Sequence, residues 1–263
     1  MSTVKATNIQ EPNSATVNMV LTTSGGVAVG QNLSVAGTTT LTGSLASTLN
    51  LVAGTTTVAP LDFASGTNLT TAIAGGVEYD GTVFYGTPIG TQRGVIPGQQ
   101  FFRLNANFVG TTAATAQNLF GVGVTLSSST VYAFEIEVGM IKTAGATSHT
   151  LSLSFAGAAT LNNIFYTVAS AFTGTSTTVL LNTSTTLGYV STAAATVISQ
   201  AVAAAASAST IIVKGTVSVN VGGTFTPQYT QGSTGAYSTV AGSYINIYPI
   251  GASGSNVSVG TWA

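Results

Sequence analysis

From Val27 to Leu51 every large apolar side chain falls on an odd number: Val27, Val29, Leu33, Val35, Leu41, Leu45, Leu49 and Leu51. The even positions between them hold only Ala, Gly, Asn, Ser and Thr. A period of two sends alternate side chains to opposite faces, so this stretch predicts β-structure and not helix. Glycines at 25, 26, 30, 37, 43 and 54 cut it into short strands joined by tight bends. Each short strand has one apolar face and little nearby chain to cover it. Three copies wound about a common axis, odd positions inward, supply the missing surface. The pattern therefore predicts an intertwined trimeric β shaft whose oligomerisation residues are those eight; one sheet of an ordinary β domain is the competing reading.

The chain divides by composition into residues 1–25, polar and turn-rich with a short apolar strand at Val17 to Leu21, an attachment segment or a frayed terminus; residues 26–74, shaft and junction; and residues 75–263, a β-rich head. Strands in the head follow from alternation. Tyr132, Phe134, Ile136, Val138 and Met140 share one face of a strand at 131–141, with Glu135 and Glu137 on the other. Leu151, Leu153 and Phe155 alternate, as do Ile211, Val213, Val217, Val219 and Val221. The pair Asp80-Gly81 inside Val77 to Tyr85 predicts a tight hairpin. SYINIYPI at 243–250 reads as apolar on both faces, central in a sheet or at a subunit contact. The alanine-rich stretch from Ala193 to Ala208 is the one candidate helix. Many short strands with Gly/Ser turns predict an all-β fold, the shaft followed by a jelly-roll-like β-sandwich head.

Composition narrows the function. Only 4% of the 263 residues are charged, against roughly a quarter in an ordinary soluble domain. Forty-six threonines and 27 serines supply the polarity instead. A net charge of −1 barely holds copies apart, which favours life inside an assembly. Without cysteine there is no disulfide, thiolate nucleophile or Cys-ligated zinc. Lys5, Arg93, Arg103, Lys142 and Lys214 are scattered, so no nucleic-acid partner is expected. The N-terminus has no apolar core of signal-peptide length, and Val197 to Val213 is too alanine-rich and too interrupted for a membrane span. Neither export by the usual route nor membrane insertion is expected.

Candidate chemistry is sparse. Glu135 and Glu137 are the one close carboxylate pair on a strand, a placement open to a glycosidase pair or to a solvated or interface-facing strand edge with Lys142 as a candidate partner. Glu78 and Asp80 flank the hairpin, and Asp62 stands alone. His149, the sole imidazole, reads as an exposed turn residue; an axial metal held by one His from each of three subunits is the sharper alternative. Gly121 and Gly123 lack the third glycine and the helix that a nucleotide loop needs. Arg93 and Arg103 are expected to seek carboxylates at a subunit contact. Tyr229, Tyr237, Tyr244, Tyr248 and Trp262 are candidates for stacking on sugar rings or for packing. The segment 226–238, TPQYTQGSTGAYS, is the best candidate for an exposed loop, making Tyr229 and Tyr237 the candidate surface contacts. No catalytic, cofactor-binding or metal set emerges, so no cofactor and no enzymatic activity are expected.

NLSVAGTTTLTGSLAS at 32–47 resembles the repetitive shaft of bacteriophage tail fibres and related virion fibres. APLDFASGTNLTTAIAGGVEYDGTVFY at 59–85 is similar to the junction that joins such a shaft to a β-rich terminal domain. FGVGVTLSSSTVYAFEIEVGMIKTAGATSHTLSLSFAG at 120–157 and GSYINIYPIGASGSNVSVGTWA at 242–263 resemble the body and closing strands of that domain. The resemblance implies a structural component of a virion, made in the host cytoplasm. With the shaft pattern it gives the expectation of a homotrimeric fibre or spike, docked to other virion proteins by its N-terminus and presenting its head to a host-surface glycan or protein. A capsid decoration protein and a fibre-borne polysaccharide depolymerase are the alternatives.

Overall fold

The computed structural model describes residues 53–145, 148–173, 184–199, 208–254 and 256–262, with three short strands before them. The chain splits into two units, Met1–Asp62 and Phe63–Ala263. In the first, β1 (Asn8–Ile9), β2 (Met19–Leu21) and β3 (Val27–Ala28) form an antiparallel meander, Val20 lying between Asn8 and Ala28. The expected short apolar strand is therefore present at its C-terminal end. Of the proposed shaft residues, only the backbone of Val27, opposite Leu21 in this sheet, falls within the described residues. Val29, Leu33, Val35, Leu41, Leu45, Leu49 and Leu51 lie outside them.

The second unit opens with a meander of β4 (Val77–Tyr79), β5 (Phe84–Gly86) and β6 (Gly94–Ile96). The Asp80-Gly81 hairpin forms as its sequence predicts. Gly81 takes φ +94, a conformation that side-chain-bearing residues avoid. Asp80 Oδ1 accepts from the backbone N–H groups of Thr82 and Val83, both at 2.8 Å, and Tyr85 donates to Oδ2 at 2.8 Å. Burial alone would raise the Asp80 pKa, but the Val83, Thr82 and Tyr85 donors outweigh it and hold the carboxyl below its usual range. Burial and that same bond push the Tyr85 hydroxyl up to about 12.

The body follows: β7 (Gln100–Arg103), β8 (Phe108–Val109), β9 (Gln117–Asn118), β10 (Val124–Leu126), β11 (Thr130–Ala144) and β12 (Leu151–Ala156). Next come β13 (Thr160–Thr173), β14 (Ser184–Val190), β15 (Thr196–Val197), β16 (Ala208–Val221), β17 (Gly223–Gln231), β18 (Ala236–Thr239) and β19 (Tyr244–Ala252). The smaller sheet runs β10-β17-β12-β15, with β9 also on β17. The larger runs β14-β13-β16-β11-β18-β8. Strand β11 is long enough to pair with β19 along its first half and β18 along its second, and β7 closes the β19 side.

The sheets pack as an all-antiparallel sandwich because each has one apolar face. Along β11 burial alternates from Thr130 to Lys142; along β17 Phe225, Pro227, Tyr229 and Gln231 point inward. Phe134, Phe155, Tyr166 and Phe225 meet between the sheets, Phe155 and Phe225 stacked at 4.8 Å and Phe134 edge-on to both at 5.5 and 5.9 Å. Offset and edge-on contacts put positive ring edges against negative faces, which favours this arrangement over plain hydrocarbon packing.

Three expectations need correcting. The segment 226–238 is not an exposed loop: most of it is β17 and β18, and Tyr229 and Tyr237 are buried, because their strands carry the core alternation to the end of the sandwich. The candidate helix is absent from 193–199, which holds β15; residues 200–207 lie outside the described ones. There is no helix among the described residues. SYINIYPI is central, as one reading had it, but only one face is aliphatic: Ile245 and Ile247 are buried, whereas Tyr244, Asn246 and Tyr248 face outward.

Candidate functional site

Register alone builds the site. Phe101 on β7 lies opposite Asn246 on β19, Asn246 opposite Glu135 on β11, and Glu135 opposite Lys214 on β16. Lys214 lies opposite Thr167 on β13, and Thr167 opposite Tyr189 on β14. Asn246, Glu135, Lys214 and Thr167 alternate with inward-facing residues along their strands, and Phe101 and Tyr189 continue their row in register at its exposed ends, so the row lies on the outer face of the larger sheet. At ~4.8 Å between strands the row is on the order of 24 Å long. The neighbouring row is Arg103, Tyr244, Glu137, Ile212, Ala169 and Leu187. Four of the eleven charged side chains of the protein, Arg103, Glu135, Glu137 and Lys214, therefore share one face of one sheet.

Aromatic rings flank these charges. Phe101 stacks on Tyr244 at 5.3 Å, and Phe165 on Tyr189 at 5.9 Å. Phe101 is 59% and Tyr189 73% exposed, so these rings are presented to solvent and are not core. Glu135 and Glu137 do share a face, but the partner expected for them is wrong. Lys214 reaches Glu135 Oε1 at 3.1 Å, while Lys142, in register with the core face, is buried. The Tyr244 hydroxyl donates towards Glu135 Oε1 at 3.4 Å and Glu137 Oε2 at 3.2 Å. Burial and the two carboxylates raise the Tyr244 pKa, which keeps it a donor. Between Glu135, Lys214, Asn246 and Tyr248 lies a depression of about 340 Å³, open to solvent.

His149 is buried and not an exposed turn residue. Its Nε2 lies 2.7 Å from the Tyr237 hydroxyl and its Nδ1 3.3 Å from Lys142 Nζ, where the ammonium donates. Burial pushes the Lys142 pKa down. The physical reason is reciprocal: an inward lysine at the end of the core face needs an acceptor, and the imidazole supplies one. Among the described residues no three His, Cys, Asp or Glu side chains group as a metal site.

The arginines separate. Arg93 donates through Nε and Nη2 to Glu78 at 2.8 and 3.1 Å and through Nη2 to the Leu69 carbonyl at 2.6 Å, all within one chain. Arg93 and the Leu69 N–H hold the Glu78 carboxyl below its usual range. Arg103 bonds Asn105 Oδ1 at 2.7 Å and not a carboxylate. Trp262 is 81% exposed, and Asp62 is exposed at the boundary between the two units. Sequence reasoning missed that Lys214 and Asn246 flank Glu135 and that Phe101 flanks Asn246. The available signal was the Tyr-x-Asn-x-Tyr alternation against isoleucine in 244–248.

Because the folded Glu78 and Asp80 pKa values lie below their unfolded ones, their contribution to the hairpin is present above the ordinary carboxylate pKa. It is lost as pH falls through the lowered values. Amide exchange should show Leu69 and Val83, whose N–H groups these carboxylates hold, losing protection as pH drops from about 5 towards 2, with Arg93→Gln moving the loss at Leu69 to higher pH.

No protein-family model matches this chain, and no curated protein matches its sequence.

Proposed function

We propose that the protein is a structural virion component, a homotrimeric bacteriophage fibre or spike docked by its N-terminal segment and presenting residues 75–263 as a jelly-roll head to the host surface. The observation that carries this reading is the strand order. From β10 to β17 successive strands switch sheets, except at the β13–β14 pair within the larger one, so that β10-β17-β12-β15 faces β11-β16-β13-β14. Such interleaving is what results when an eight-stranded antiparallel ribbon wraps into two sheets, the jelly roll used by viral shells and lectins. The period-two run at 27–51, an apolar stripe without a partner in its own sequence neighbourhood, supports association through a shaft. Work by contact and not by turnover fits a surface whose carboxylates are already engaged by Lys214 and Tyr244.

Sedimentation equilibrium of the full chain tests the proposal. The expected mass is three copies of 26.1 kDa. Leu33→Asp or Leu41→Asp should abolish the trimer, since three carboxylates would be desolvated together at the axis. A stable, soluble monomer of the unaltered chain would overturn the fibre reading.

A further inference from the structure

The geometry points to a binding site for an uncharged oligosaccharide along the outward row Phe101–Asn246–Glu135–Lys214–Thr167–Tyr189, centred on the depression beside Tyr248. This deepens the proposed host-contact role and rests on it. Asn246 Oδ1 is buried in the floor of the sheet face and has no hydrogen-bond partner among the described residues. A buried carbonyl without a donor is costly, and such groups in a folded protein usually meet a ligand or water. Across the strand, Lys214 and Tyr244 both engage Glu135 Oε1, so Oε2 remains as an acceptor and Lys214, its side chain 62% exposed, keeps ammonium donors to spare. The depression thus offers two acceptors, one strong donor and the ring of Tyr248 within about 340 Å³.

That set matches a pyranose. Its rim carries hydroxyls that both donate and accept, and its C–H faces are apolar and lie flat against an aromatic ring. Sugar hydroxyls would donate hydrogen bonds to Asn246 Oδ1 and Glu135 Oε2, and a hydroxyl oxygen would accept one from the Lys214 ammonium. Because Glu135 already neutralises Lys214, there is no net positive charge to select an acidic sugar. The row continues to exposed aromatic rings at both ends, Phe101 and Tyr189, so further sugar units of an extended chain find a second and third stacking surface. No bond is made or broken in this step.

Titration calorimetry of the full chain with cellohexaose, mannohexaose, galactohexaose and chitohexaose tests the assignment, with a hyaluronan hexasaccharide as the acidic probe. At least one neutral hexamer should bind with Kd in the micromolar to millimolar range. Asn246→Ala and Tyr248→Ala should each weaken it at least about tenfold with the melting temperature unchanged, and Trp262→Ala should leave it alone. Asn246→Ser, which preserves a small polar group, serves if the alanine variant does not fold, and should also weaken binding. Heat absent with all four neutral hexamers up to about 10 mM, preference for hyaluronan, or binding indifferent to Asn246 and Tyr248 would each overturn the assignment. The native mass of the same sample keeps the two proposals apart. A trimer that ignores every sugar overturns this site alone, whereas a monomer overturns the fibre reading even if the sugar binds.

Discussion

Phe134→Ala should lower the melting temperature of the head by roughly 6 to 20 °C, the equivalent of about 3–5 kcal/mol for a large buried aromatic at about 2–4 °C per kcal/mol. Phe134 is 3% exposed and sits where both sheets meet, with the Phe155, Phe225 and Tyr166 rings at 5.5, 5.9 and 6.5 Å. Its removal takes away three ring contacts and leaves a hole lined by three rigid rings, none of which can slide in without losing its own packing. The cost therefore combines lost burial with an unfilled cavity. Phe165→Ala is the paired control. Phe165 is 48% exposed on the outer face of the same large sheet, and its loss should cost much less. Near-ultraviolet circular dichroism during heating reads both, since the aromatic cluster dominates that signal. Equal shifts for the two variants would mean that the four rings do not form the common core of the sandwich.

Much of this core is visible in the sequence for a simple reason. Where one face of a strand is buried and the other wet, period two is written directly into residue type, as at Tyr132, Phe134, Ile136, Val138 and Met140. The hairpin at Asp80-Gly81 is equally local, set by one glycine and one carboxylate. Legibility fails where polarity and burial part company. Lys142 continues the even-numbered core face of β11, and a strict reading of register would place it inside, but a cation is expected outside; its acceptor, His149, comes from a different segment. Tyr229 and Tyr237 failed for the same reason: threonine, glutamine and glycine around them look like loop, whereas in so charge-poor a chain threonine and glutamine also serve as strand residues. Gln231 is buried and donates to the Gly235 and Ala113 carbonyls at 2.8 Å. The candidate site was half legible. Its carboxylates and tyrosines carry recognisable chemistry, but the row that joins Phe101, Asn246 and Lys214 to Glu135 depends on pairing between strands far apart in sequence, which no single segment encodes.

Gly215→Ala should cost about 1–3 kcal/mol or more, a large effect for a single methyl group, and splay β13 from β16. Gly215 lies opposite Phe134 on one side and Tyr166 on the other, in the inward row of the larger sheet. Two large rings meet over it at 6.5 Å between centroids, and the absent side chain is what gives them room. A Cβ there would stand 2.6 Å from Tyr166 Cβ and 2.7 Å from Tyr166 Cα, and against the Phe165 carbonyl oxygen. Two of those three atoms are backbone, so no rotamer change relieves the contact; the neighbouring strand itself has to move. In the sequence this glycine interrupts the run Val213, Val217, Val219 at a position due to face the core, which reads as a weak strand and is instead the space its neighbours fill. Hydrogen exchange distinguishes this from general loss of stability. Amides that pair β13 with β16 should lose protection well before those that pair β12 with β17 in the opposite sheet. If both sheets open together in the alanine variant, the strain is not confined to that strand pair and the close approach of Tyr166 to Gly215 is not what makes glycine necessary there.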